Sequence, residues 1–130
     1  MSETEKITIN LGLVDLGQID LLVQEGFYSN RTDFIRTAIR NQLTTHAEEV
    51  RQTVARRTLV LGLEHYSRRD LESVREAGET LEIKVLGLAS IDDDVDPELA
   101  RATISSLSVL GALRASPAVK SALKDRIQTP

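Results

Sequence analysis

Residues 6–11 read Lys6-Ile7-Thr8-Ile9-Asn10-Leu11. Polar and apolar side chains alternate along it, and two of the three apolar residues are β-branched, the pattern of a strand with one buried face. Ile7, Ile9 and Leu11 fall on one side of such a strand, and Lys6, Thr8 and Asn10 on the other. Six residues do not make a sheet alone, and no second strand with hairpin chemistry follows. The economical partner is the same segment of a second copy, related by a twofold axis.

Beyond this segment, Asp15 is placed to cap a first helix whose apolar positions Leu16, Ile19, Leu22 and Val23 recur every three or four residues. Gly26 supplies its left-handed stop. After Phe27-Tyr28, both Ser29 and Asn30 are suitable caps for a second helix, and Asp33 favours the positive end of its dipole. Phe34, Ile35, Ala38, Ile39 and Leu43 form its apolar stripe, which extends to about Thr45 or beyond.

From about Glu48 the pattern changes. Val60-Leu61-Gly62-Leu63, Val85-Leu86-Gly87-Leu88 and Val109-Leu110-Gly111-Ala112 share one motif, and their starts lie 25 and 24 residues apart. Regular spacing of this kind marks a structural repeat. Each motif is followed by a capped helical pattern: Ser67 before Arg68–Ala77, Asp96 with Pro97 before Glu98–Ile104, and Ser116 with Pro117 before Ala118–Ile127. Three strand-helix units stacked on a parallel sheet are expected, superficially like leucine-rich repeats. Gly62, Gly87 and Gly111 read as positions of close packing. The fold class is therefore α+β, with residues 1–46 as a first domain, 47–57 as a connecting helix and 58–130 as the repeat half.

A lone strand, two amphipathic helices and a cap-rich turn between them form an unusual order. Over about residues 5–45 the chain resembles the ribbon-helix-helix family of DNA-binding proteins, also called the Arc and CopG type. The resemblance rests on Lys6–Leu11, on Gly26-Phe27-Tyr28-Ser29-Asn30-Arg31-Thr32-Asp33 and on Phe34-Ile35-Arg36-Thr37-Ala38-Ile39-Arg40. It implies a two-chain ribbon in the major groove of a double-stranded DNA operator. Lys6, Thr8 and Asn10 would then read base edges, Lys6 favouring guanine and Asn10 favouring adenine. Ser29, Asn30 and Arg31 would hold a phosphate at the start of the second helix. Ile7, Ile9, Leu11, Ile35 and Ile39 would form the dimer core.

Composition narrows the remaining classes. A 41% hydrophobic and 28% charged chain of 130 residues can fold, but with 3% aromatics its core must be aliphatic and it has few platforms for stacking single-stranded bases. The absence of cysteine excludes disulfides, thiolate zinc sites and cysteine nucleophiles. A net charge of -4 argues against indiscriminate binding to nucleic acid, so recognition must rest on local arrangement. Asp92-Asp93-Asp94 with Asp96 and Glu98 reads as a loop and helix cap, because the spacing is not that of a calcium loop. His46 and His65 make a poor metal site without cysteine. No catalytic residue, metal or cofactor is expected.

The acidic, polar start of the chain and the lack of a long apolar run predict a soluble cytoplasmic protein with no membrane association. The expected function is sequence-specific transcriptional regulation, by repression, as a homodimer. Residues 58–127 would serve higher-order self-association or a protein partner. A dimeric scaffold or adaptor without a DNA target, or an antitoxin, is the alternative.

Overall fold

Helix α1 runs from Leu13 to Gln24 in the computed structural model, which describes residues 4–128. It starts before Asp15, contrary to the sequence reading. Gly12 takes the N-cap position with extended backbone and no side-chain hydrogen bond, and Asp15 lies in the first turn beside the positive end of the dipole. At the other end Gly26 has φ 85°. The amide of Gly26 donates to the carbonyl of Val23 and that of Phe27 to the carbonyl of Leu22, a Schellman closure that needs the left-handed residue the sequence provides. Helix α2, Arg31–Thr45, follows, and only His46 separates it from α3, Ala47–Arg57.

Residues 4–12 carry no regular secondary structure in the single chain. The strand expected at residues 6–11 is thus not paired within its own subunit, and Ile7, Ile9 and Leu11 are 74%, 56% and 40% exposed.

By contacts the chain divides between Thr53 and Val54 into two units. The second unit, from Val54 onward, holds strands β1 (Val60–Tyr66), β2 (Leu81–Ile91), β3 (Ile104–Arg114) and β4 (Ile127–Gln128), alternating with α4 (Arg68–Glu76), α5 (Pro97–Thr103) and α6 (Pro117–Ala122). The strands form one parallel sheet in chain order. Val60, Val85 and Val109 stand in register, as do Gly62, Gly87 and Gly111. The mixture of helix and strand agrees with the α+β expectation.

Ser67, Asp96 and Ser116 cap the three helices, each accepting a backbone amide three residues on. At α4 the cap is reciprocal, because the Asp70 carboxylate also accepts the Ser67 amide. That hydrogen bond holds the Asp70 carboxyl below its usual range. Helix α6 ends at Ala122, short of the Ile127 expected from sequence, and the chain turns so that Ile127 and Gln128 pair with Leu107 and Ser108 as a fourth strand.

The core joins Leu71 of α4, Leu99 and Ala100 of α5, and Val119 of α6 to Ile83, Val85, Ala89 and Ile91 of β2 and to Ile104 and Leu107 of β3. These β2 residues are alternate positions, so the three helices cover one face of the sheet. The three motif glycines all have positive φ, 127°, 140° and 118°. A Cβ on Gly87 would lie 2.1 Å from the carbonyl oxygen of Gly62, and one on Gly111 the same distance from that of Gly87. Close packing therefore explains Gly87 and Gly111. It does not explain Gly62, which has open space around it and is held to glycine by its backbone alone.

Candidate nucleic-acid interface

The turn between α1 and α2 is built from short-range hydrogen bonds. Asn30 is the N-cap of α2, its Oδ1 accepting the Asp33 amide at 2.8 Å. The Asp33 carboxylate in turn accepts the Ser29 amide at 3.0 Å. Tyr28 and Phe34 meet edge to face across the turn, with ring centroids 5.0 Å apart.

Arg31, the first residue of α2, reaches back to α1. Its Nε donates to Asp20 Oδ1 and its Nη2 to Asp20 Oδ2, both at 2.8 Å, a two-pronged fork that matches the planar guanidinium to the planar carboxylate. The hydrogen bond from Arg31 and the charge of its guanidinium hold the Asp20 carboxyl below its usual range, and the same bond with the charge of Asp20 raises the guanidinium of Arg31.

Ser29, Asn30 and Arg31 thus stand together at the start of α2, as the sequence predicts, but two of their donors are already engaged. The Ser29 amide faces Asp33, and the Arg31 guanidinium faces Asp20. Asp20 was not legible as part of this site: it lies eleven residues from Arg31 across a glycine-closed turn, and no local spacing connects them.

Lys6, Thr8 and Asn10 are exposed, and so are the apolar residues between them. Of the remaining dimer-core candidates, Ile35 is half-buried and Ile39 is 48% exposed. Among the described residues of the unit spanning Thr4–Thr53, Ile19 alone is buried. Leu13, Val14, Leu21, Phe27, Leu43 and Val50 join Ile7, Ile9, Leu11 and Ile39 as exposed large apolar side chains.

The second unit carries a different cluster at the carboxyl ends of its strands. His65 Nε2 lies 3.0 Å from Asp92 Oδ1, and His65 Nδ1 lies 3.4 Å from Ser90 Oγ. The motif spacing contained half of this, since 25 residues bring His65 beside Ser90. Among the described residues no three His, Asp or Glu side chains converge in a way that could hold a metal ion, and no helix is long and apolar enough to cross a membrane.

The first unit thus joins two short helices, the first closed by a Schellman turn, behind an alternating segment, with most of its large apolar side chains exposed. The chain belongs to the ribbon-helix-helix transcriptional regulator family, whose model matches residues 2–120. It is also similar to a protein of Methanocaldococcus jannaschii described as uncharacterized protein MJ1679, with 42% identity over 40 residues. That stretch is 31% of this chain and 41% of the relative, so the chain spans well under half of that protein's length. No solved structure matches.

Proposed function

We propose that the protein is a homodimeric, sequence-specific DNA-binding regulator acting as a cytoplasmic repressor. Residues 6–11 of two copies pair as an antiparallel ribbon and enter the major groove of operator DNA. The observation that carries this reading is the lopsided burial of the first unit: one buried residue against ten large apolar side chains left exposed. At about 25 cal/mol per Å² of apolar surface, an arrangement of that kind is not stable in water and calls for a second chain. Ile7, Ile9 and Leu11 with Ile35 and Ile39 form the shared core, and Lys6, Thr8 and Asn10 face base edges, which have a distinct donor and acceptor pattern in that groove.

Ser29, Asn30 and Arg31 take a backbone phosphate. Asp33 and Asp20 occupy their donors until the phosphate replaces them, so the site is partly masked in the free protein. The domain division follows the same logic, with residues 1–46 reading DNA, 47–57 connecting, and 58–130 forming a three-unit strand-helix solenoid of leucine-rich-repeat character that serves association. The chemistry asked of the chain is recognition without catalysis, metal or cofactor.

A mobility-shift assay against genomic fragments at two salt concentrations tests the proposal. A retained fragment whose affinity falls steeply with salt is expected, and no retention at low salt rejects it. Asn10→Ala is expected to relax base preference, by about 1–3 kcal/mol of discrimination at one position, whereas Arg31→Ala weakens all sequences alike. Asp20→Asn has the opposite sign. It frees Arg31 before DNA arrives and raises affinity for any duplex roughly two- to fivefold, with the log–log salt slope little changed because the same phosphate is contacted. If Asp20→Asn instead weakens binding, the fork holds α2 in place and Arg31 makes no phosphate contact.

A further inference from the structure

Parallel sheets are ordinarily covered on both faces, because the crossover helices and their partners bury strands that are apolar on each side. This sheet is covered on one. Opposite the helix-covered residues Ile83, Val85, Ala89 and Ile91, two rows cross the strands in register: Leu61, Leu86 and Leu110, then Leu63, Leu88 and Ala112. Leu61 and Leu63 are 67% and 56% exposed, and the other four are half-buried. No charge interrupts the rows. Polar groups begin only at their ends, with Lys84 and Ser108 at one and Ser90, His65 and Arg114 at the other. An apolar centre inside a polar rim is the anatomy of a protein contact. A polyanion would find nothing to bind at that centre.

Size decides the occupant. Strands about 4.8 Å apart and alternate residues about 6.6 Å apart give a grid of about 10 by 7 Å between its outer Cα atoms. Such a patch is far smaller than the ~800 Å² per partner of a contact that holds free proteins together. It suffices between chains already delivered to each other, for which tethering raises the effective concentration to about millimolar. The ribbon proposed above delivers one species, a second copy of this chain. The rows also suit it, since identical leucines at sheet spacing superimpose on themselves under a twofold axis.

We infer that the leucine face of β1–β3 stacks on the same face of a second copy, about 10 Å apart as packed sheets are. The inference rests on the dimer reading. The chain contains no cysteine, so a single introduced thiol reports one position cleanly. In the full-length protein, Leu86→Cys is expected to be cross-linked between copies by a short bis-maleimide at least tenfold faster than Glu76→Cys, an exposed position at the end of α4. Adding Leu61→Glu to the Leu86→Cys chain should abolish the advantage. Equal rates at residues 86 and 76, or an advantage untouched by Leu61→Glu, overturn the face pairing. Ile9→Glu separates the two readings. If it slows the cross-link tenfold, the ribbon delivers the copies. If it changes neither the dimer mass nor the cross-link, the ribbon reading fails and a contact other than the ribbon delivers the copies whose faces pair.

Discussion

Ile9→Glu is expected to turn the protein into a monomer and to abolish retention of duplex DNA. Ile9 is the middle apolar residue of the alternating segment and is 56% exposed in the single chain. In the proposed ribbon its side chain is covered by the partner, and by symmetry the substitution is felt twice. Each isoleucine contributes about 1.5–3 kcal/mol when fully buried, and each introduced carboxylate would enter the interface without a partner charge. A combined loss of at least ~4 kcal/mol raises the dimer dissociation constant about a thousandfold. Sedimentation equilibrium gives the mass, and a mobility shift gives the binding. Because the first unit buries a single one of its described residues without its partner, circular dichroism should lose helical signal from α1 and α2 while the sheet of the second unit persists. A variant that keeps both dimer mass and DNA affinity contradicts the ribbon.

The second large effect belongs to the glycine row, and it is graded. Gly87→Ala and Gly111→Ala place a methyl group 2.1 Å from a carbonyl oxygen of the neighbouring strand, on backbone with positive φ. The sheet must part locally to admit either one. A cost above ~4 kcal/mol is expected, enough to unfold a small unit of ordinary stability. Gly62→Ala meets no atom within 4 Å and bears only the backbone strain, about 1–3 kcal/mol. For a domain of this size that lowers the melting temperature by about 4–8 °C per kcal/mol. Thermal unfolding should therefore rank residue 62 as mild and residues 87 and 111 as severe. Equal effects at all three would show that strain alone, without the close approach, restricts the row to glycine.

The features legible in the sequence are those fixed by neighbours a few residues apart or by a repeat. Gly26, Asn30, Ser67, Asp96 and Ser116 terminate or cap helices through bonds spanning three to five residues, so their types and spacing announce them. The 25- and 24-residue spacing of the motifs carries the sheet register, because residues at equivalent positions of stacked units become neighbours. The start of α1 was not legible, since Gly12 has no side chain with which to signal a cap. Nor was β4, whose two residues are too few to show a period. The Asp20–Arg31 fork and the Asp92 side of the His65 cluster depend on how separate elements meet. Spacing along the chain holds no record of that.

The two margins of the sheet differ in length. β1 offers seven residues along its outer side, whereas the described residues of β4 pair with Leu107 and Ser108 alone of the eleven residues of β3. Endless head-to-tail growth by strand addition needs a donor margin and an acceptor margin of matching length on every molecule. Here one margin is a single strand and the other is stepped where β4 meets β3. A strand that fitted the first margin would meet that step at the second, which disfavours filaments built by strand addition.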